Sequence, residues 1–233
     1  MRQSLDYIGP YRFRQRPGVF PLGSDSQALG GFATVRRGER LCDLGCGSGV
    51  LGLYLLAREP SLQVTGLELN EAAAGLAEEN FRANGLDARV VRGDLRRVRE
   101  LFPAGYFDLA VSNPPYFSVG SGYSGGAARM EETCTLEDVC AAAQWLVKNG
   151  GRFSMVHRPE RLADLFQALR AHDFEPKRLQ LIQAGHRPPS AVLIEAYKQG
   201  RPGLNVLPVQ IRSADHGLPP GGRHRGTPPK ASP

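Results

Sequence analysis

What this chain of 233 residues lacks narrows its class at once. It has no apolar run near the ~18 residues a membrane helix needs. Its start, MRQSLDYIGPYRFRQRPGVF, has no apolar core of the kind a secretory leader carries, so a cytoplasmic protein is expected. Four cysteines are too few for a disulfide scaffold at this length. Cys42 and Cys46 are four apart and Cys134 and Cys140 six apart; neither pair is CxxC, and no histidine stands at zinc spacing. Reduced, buried thiols and no metal are the expectation. Gly and Pro together make about a fifth of the chain, below the ~25–30% of low-complexity sequences, and hydrophobic residues make 41%. A collagen-like fibre and a wholly disordered chain are excluded.

Lysine is scarce as well, because 25 of the 29 basic residues are Arg. The net charge is +6, and all of it resides at the two ends. Residues 1–40 carry seven Arg against Asp6, Asp25 and Glu39, and residues 213–233 carry Arg223, Arg225 and Lys230 against Asp215. The stretch between them is neutral. A basic arm beside a neutral core fits a polyanion, of which nucleic acid is the usual one. A merely solvated Arg-biased surface is the alternative. The last 21 residues hold five Pro and four Gly and almost no apolar groups, which makes 213–233 an expected disordered tail.

Between 40 and 212, apolar runs alternate with helical patterns. Strands are expected at 40–44, 63–69, 88–94, 106–113, 151–157, 178–184 and 190–198. Asn70 can cap a helix whose inward face is Ala73, Leu76, Ala77 and Phe81. Thr135 with Asp138 forms a capping box for a helix over 136–147, which Asn149, Gly150 and Gly151 should end. Pro159 suits the first turn of a helix with Leu162, Leu165, Phe166 and Leu169 inward. This alternation implies an α/β fold with a mostly parallel, doubly wound sheet of seven strands, and a ligand at the strands' carboxyl ends. The basic segment 1–39 should pack on this core as an arm.

The first chemical motif is Asp43-Leu-Gly45-Cys46-Gly47-Ser-Gly49, between the first core strand and a helix. Its glycines allow a tight turn and close approach to a ligand. Glu68, at the end of the next strand, can accept from ribose hydroxyls, and Asp94, ending the third, can meet an adenine edge. Three carboxylates repel a pyrophosphate. They suit a ligand with ribose, adenine and a cationic centre, which is S-adenosylmethionine. Leu69 and Leu95 belong to the same expected cofactor site. Gly120, Gly122 and Gly125 also match GxGxxG, but no buried strand precedes them, so a mobile loop is expected there.

The second motif, Asn113-Pro114-Pro115-Tyr116, closes the fourth core strand. An Asn113 side-chain oxygen and the Pro114 carbonyl can accept the two protons of a planar amine and favour a pyramidal nitrogen aimed at a methyl donor. Two prolines stiffen the acceptors. Tyr116, with Phe117 in support, offers a face on which a base can stack. Such a nitrogen can lose its proton after transfer, so no general base is needed. The absence of Pro-Cys-Gln argues against attack through a pyrimidine carbon. In the arm, Arg12, Arg14 and Arg16 alternate with Tyr11 and Phe13, a pattern suited to phosphate contact and base stacking or to an amphipathic segment packed on the sheet. Asp25 could reach the methionine end of the cofactor. His157 reads as structural.

In this order DLGCGSG, Glu68, Asp94 and NPPYF resemble the class I, Rossmann-like amino-methyltransferases. Over about 8–212 the chain resembles the bacterial tRNA1(Val) adenine-N6 methyltransferases, including YRFRQRPGVFPLGSDSQAL, CTLEDV and GGRFSMVHRPERL. The resemblance implies methyl transfer from S-adenosylmethionine to the exocyclic amine of an adenine beside the anticodon of a tRNA. It implies Asp43, Gly45 and Gly47 around the cofactor, Glu68 on its ribose, Asp94 on its adenine, and Asn113, Pro114 and Tyr116 on the target base. NPPY also resembles the motif of release-factor glutamine methyltransferases, but these carry an N-terminal helical domain and only 39 residues precede the first core strand here. Guanine-N2 rRNA methyltransferases and a cofactor-binding module without catalysis stay open as alternatives.

Overall fold

The structure is a computed structural model, and it describes residues 4–16, 19, 23–114 and 134–212. The chain opens with two short strands, β1 (Ser4–Ile8) and β2 (Tyr11–Gln15), and a helix, α1 (Ser24–Phe32). There follow β3 (Arg40–Leu44), α2 (Val50–Arg58), β4 (Gln63–Glu68), α3 (Glu71–Arg82), β5 (Arg89–Arg92), α4 (Val98–Leu101) and β6 (Phe107–Ser112). The last part comprises α5 (Leu136–Leu146), β7 (Val147–His157), α6 (Leu162–Ala171), β8 (Phe174–Ala184), β9 (Pro189–Lys198), β10 (Asn205–Val206) and β11 (Gln210–Arg212).

One sheet runs β10-β8-β9-β7-β6-β3-β4-β5, with β11 also on β8. All pairings in it are parallel except those of β9, which is antiparallel to both β7 and β8. The seven expected strands are its body, and β10 and β11 bring the total to nine. Consecutive strand residues face opposite sides, as the pleat demands. Leu109 and Val111 enter one core cluster with α1, α2 and α3, whereas Ala110 enters the other with α4, α5 and α6. The sheet is thus covered on both faces, and β3, flanked by β4 and β6, is where the winding reverses.

Local signals account for several elements. The Asn70 side chain accepts from the Ala73 N–H at 3.0 Å and starts α3, whose Ala73, Leu76, Ala77 and Phe81 are buried. Thr135 and Asp138 form a reciprocal capping box on α5. The expectation fails at the end of α5. The helix stops at Leu146, and Asn149, Gly150 and Gly151 lie inside β7, with the register shifting on β6 between Phe107 and Leu109. Gly150 takes a φ of +71°, so the residues that read as a helix stop are an irregularity at the start of a strand. Pro159 likewise opens a 3-10 turn, Pro159–Arg161, ahead of α6.

The basic arm is a hairpin whose inner face belongs to the core. Phe13 and Ile8 are fully buried, and they cluster with Leu29, Phe32, Leu41 and Leu53. Hydrophobic packing therefore crosses the expected boundary at residue 39. Tyr11 also packs on this cluster, and its hydroxyl donates to the Leu56 carbonyl at 3.4 Å. Of the two readings of the arm, these contacts favour the amphipathic segment packed on the core: the alternation of the strand turns Phe13 and Tyr11 inward. The free edge of β2 is closed by side chains. Asn80 and Asn84 each pair an amide with one backbone unit, Arg14 and Arg12 respectively, at 2.8–3.1 Å. Two asparagines four residues apart thus act as a substitute strand. Of the four thiols, Cys42, Cys46 and Cys140 are buried and Cys134 is only half-buried. No helix among the described residues is long and apolar enough to cross a membrane.

The hairpin's anchorage is testable. Phe13→Ala should cost about 3–5 kcal/mol in urea denaturation, the usual cost of emptying a buried Phe site. Arg12→Ala, on the exposed face of the same strand, should stay within about 0.5 kcal/mol. Equal and small effects would show that the hairpin does not share the core.

Candidate active site

The carboxyl ends of β3, β4 and β6 bring the main motifs together. After Leu44 the chain turns through Gly45, Gly47 and Gly49, all with positive φ. At Gly49 a side chain would also be crowded, because a Cβ there would stand 3.0 Å from the Phe81 ring, which would have to give way. The turn is bonded to the neighbouring strand: the N–H groups of Gly45 and Cys46 donate to the Leu67 carbonyl at 2.8 and 3.1 Å. Gly66 makes room beneath it. A Cβ on Gly66 would fall 2.5 Å from Cys46 Sγ. The Cys46 thiol is therefore buried under the loop against β4.

Glu68 is 7% exposed and braces the loop. One carboxylate oxygen accepts the Gly47 N–H and the other the Asn70 N–H, each at 2.8 Å. A carboxylate has about four acceptor positions, so both oxygens keep capacity for hydroxyl donors. Beside it, Leu69 leaves an apolar side chain 57% exposed. Leu95 is half-buried against the core. Asp43 lies deeper. It is 2% exposed, and its Oδ2 is buried without a hydrogen-bond partner. Burial first, and the negative charge of Glu68 second, push its carboxyl up to about 7, against a smaller opposing pull from the Gly52 N–H. Two buried carboxylates, one of them with an oxygen that lacks a donor, suit a cation.

These features fit the cationic nucleoside expected from the sequence. Asp43 supplies the orphaned acceptor, Glu68 the spare lone pairs and Leu69 an uncovered apolar face. A Cβ on Gly45 or Gly47 would meet nothing within 4 Å, so the glycine turn is open to a ligand. Asp94 already has partners in its own turn. Its carboxylate caps the turn at Leu95–Arg97 by accepting the Arg96 N–H at 2.9 Å, and it pairs with the Arg96 guanidinium. That hydrogen bond holds its pKa below the usual carboxylate value. An adenine amine would share Asp94 with Arg96.

Asn113 is delivered to this site by its neighbour. Ser112 is buried and its hydroxyl donates to the Leu44 carbonyl at 2.9 Å, which seats the end of β6 against the start of the glycine turn. The Asn113 amide then points to α1, where Nδ2 donates to Ser26 Oγ at 2.9 Å. Among the described residues none donates to Oδ1. Pro114 follows, half-buried. Pro115, Tyr116 and Phe117 lie outside the described residues, as do the loop with Gly120, Gly122 and Gly125 and the tail 213–233. His157 is buried at the end of β7, and its Nδ1 accepts the Arg158 N–H at 2.9 Å. Burial, chiefly, lowers its pKa. Asp25, weighed for the cofactor's methionine end, faces Arg212 of β11 at 3.5 Å. Among the described residues no group of three His, Cys, Asp or Glu could hold a metal. Sequence reasoning missed Ser26, Ser112 and Gly66. Only Ser112 had a local signal, a polar residue at the apolar strand's end.

Asp43 gives this site a pH signature. A cationic ligand binds the ionised carboxylate, and in the ligand-free protein that form is lost below about 7. Affinity for S-adenosylmethionine should therefore rise from about pH 5.5 to about 7, by up to about tenfold per unit, with proton release on binding. Calorimetry in buffers of different ionisation enthalpy measures both, and Asp43→Asn should flatten the profile. A dissociation constant unchanged across that range would contradict the role given to Asp43.

Comparison with known proteins agrees with this geometry. Residues 10–172 match the family described as Methyltransferase small domain. The tRNA1(Val) (adenine(37)-N6)-methyltransferase of Serratia proteamaculans is 31% identical over 202 residues, covering 83% of this chain and 77% of that protein. Among solved structures, a predicted O-methyltransferase from Agrobacterium tumefaciens superposes with a TM-score of 0.67 at 24% identity, covering 80% of this chain and 86% of that one. TrmN from Thermus thermophilus superposes with a TM-score of 0.55 at 27% identity, over 74% of this chain and 48% of that longer one. An orphaned buried acceptor, a braced glycine turn and Asn113 at the neighbouring strand end are thus found in a chain that belongs to the class I S-adenosylmethionine-dependent N-methyltransferases, in the family of the tRNA1(Val) adenine-N6 enzymes.

Proposed function

We propose that this enzyme methylates the exocyclic N6 amine of an adenine in RNA, and that the RNA is a tRNA modified beside its anticodon. The observation that carries the reading is Asn113, placed at the end of β6 with Oδ1 unclaimed by any described donor. The substrate class is supported by the printed names of relatives, tRNA1(Val) (adenine(37)-N6)-methyltransferases at about 30% identity over most of the chain. A tRNA substrate would place the enzyme in the cytoplasm.

S-adenosylmethionine, when bound, supplies a methyl group on a positively charged sulfur. Asp43, Glu68 and the glycine turn would hold it. The chain's own task is to present the amine. In adenine the N6 lone pair is delocalised into the ring. Acceptance of one N–H by Asn113 Oδ1 and of the other by the Pro114 carbonyl draws both protons to one side and frees the lone pair. Rigid acceptors accomplish this with little reorganisation at the moment of reaction. Nitrogen gains positive charge on alkylation and then releases a proton to solvent, so no buried base is required. Tyr116 and Phe117 are proposed to stack on the base.

The hairpin has the chemistry of an RNA-contacting surface. Its outward face pairs Leu5 with Arg14 and Tyr7 with Arg12 across the strands, and all four are exposed. Tyr7 is 64% exposed, so the aromatic on the arginine face is Tyr7, in place of Tyr11 and Phe13. Arg16 is engaged with Glu79 at 2.7 Å. Phosphate contact by Arg12 and Arg14, with a base on Tyr7, follows from that arrangement.

Asn113→Ala should lower transfer to tRNA about 100- to 1,000-fold, the usual cost of one preorganised polar group. Cofactor affinity, read by calorimetry, should stay within about twofold. Parallel loss of both would remove Asn113 from the amine. Replacing Arg12 and Arg14 by Gln should make the slope of log affinity for tRNA against log salt shallower by about 1.5–2. An unchanged slope would take the hairpin out of the RNA interface.

A further inference from the structure

Ser26 is the third residue of α1 and is 5% exposed. A serine buried in a helix commonly turns its hydroxyl to the backbone or to water. Here Oγ takes the Nδ2–H of Asn113, 87 positions away, at 2.9 Å. A primary amide carries an acceptor and a pair of donors on the same carbon, and rotation about one bond exchanges them. Tying one end of the Asn113 amide to α1 leaves the other end for a second partner.

The helix that carries Ser26 is fixed at both ends and along its side. At its start, Arg212 of β11 donates to the Ser24 carbonyl at 2.7 Å and approaches Asp25 at 3.5 Å. At its end, Arg58 of α2 donates to the carbonyls of Gly30 and Ala33. Just beyond, Thr34 gives its N–H and its hydroxyl to the buried Glu195, each at 2.8 Å. Along its length α1 lies so close to α2 that a Cβ on Gly30 would fall 2.6 Å from Tyr54 Cβ. A hydrogen bond from such a helix transmits position.

We propose that Ser26 is a positioning residue for methyl transfer: it holds Asn113 Nδ2 and so turns Oδ1, the acceptor, toward the incoming amine. The inference rests on the reading that Asn113 accepts from that amine. Without Ser26 the amide can rotate and present N–H to N–H, which repels the substrate in its reactive orientation. No bond to Ser26 forms or breaks in the reaction. Affinity for the cofactor is set elsewhere, by Asp43, Glu68 and the glycine turn.

The test compares Ser26→Ala, Ser26→Thr and Asn113→Ala in the full chain, with kcat and KM for unmodified tRNA, cofactor affinity by calorimetry, and the Asn113 side-chain amide resonances in ¹⁵N spectra of the cofactor-free protein. Ser26→Ala should lower kcat about tenfold, on the order of one neutral hydrogen bond, with KM and cofactor affinity within about twofold. One Nδ2 proton resonance should move upfield, and Ser26→Thr, which keeps the hydroxyl, should restore both. If Asn113→Ala is inactive while Ser26→Ala keeps full kcat or leaves the resonance in place, Ser26 has no positioning role. If Asn113→Ala itself retains activity, the reading of Asn113 fails and the inference falls with it. Should Ser26→Ala not fold, Ser26→Cys, close in size and a weak acceptor, carries the same comparison.

Discussion

A buried carboxylate with one oxygen left without a donor is the constraint around which this molecule is arranged. Asp43 ends in an orphaned oxygen, a short distance in chain and space from the half of the sheet that holds Glu68. Desolvation and the second carboxylate both act against its charge. A fold tolerates such a group only where its neighbours over-determine the position. They do so here: β3 is hydrogen-bonded on both sides, the glycine turn is bonded to Leu67, and Glu68 grips the Gly47 N–H. A cation bound beside Asp43 would offset that cost, which would couple cofactor binding to the local electrostatics of the site.

The reactive end of the site is assembled differently. The groups proposed to hold the cofactor come from consecutive strand ends on one side of the winding reversal, and the proposed acceptor Asn113 comes from the other. Ser112 joins the two by its bond to the Leu44 carbonyl. The N-terminal segment then closes the arrangement from above the sheet. Asn80 binds the Arg14 backbone and also donates to the Ser48 carbonyl at 3.0 Å, so the hairpin and the glycine turn share one amide. Segment 1–39 is thus part of the site's support, and its exposed Arg and Tyr face is carried by a hairpin rooted in the core.

Much of this was legible in the sequence because it is local. Seven apolar runs and the caps at Asn70 and Thr135 each express their structure within a few residues, and DLGCGSG, Glu68 and Asn113 fall at strand ends in the expected order. Features that depend on distant partners were not legible. Asn149, Gly150 and Gly151 instead form the irregular stretch of β7 between Val147, which pairs with Phe107 of β6, and Arg152, which pairs with Leu109 of β6 and Tyr197 of β9, so the turn residues are absorbed where the register shifts. β10 and β11 are two and three residues long with exposed apolar side chains, too short for any period to register. The arm's alternation is visible in the sequence, but which face turns inward depends on distant residues such as Leu41 and Leu53, so the sequence leaves base stacking and core packing of Phe13 both open. The pairing of Asp94 with Arg96, two residues on, is not legible because Arg96 reads as an ordinary solvated charge.

The chemistry of the site specifies an amine acceptor and a cationic methyl donor more tightly than it specifies the polymer that bears the amine. The measurement that bears most directly on the whole account is methyl transfer from labelled S-adenosylmethionine to unmodified total tRNA, followed by mass spectrometry of the nucleosides. The expected product is N6-methyladenosine, at an adenine beside the anticodon. Label recovered in N2-methylguanosine or in protein glutamine, or cofactor binding with no transfer to any RNA, would contradict it.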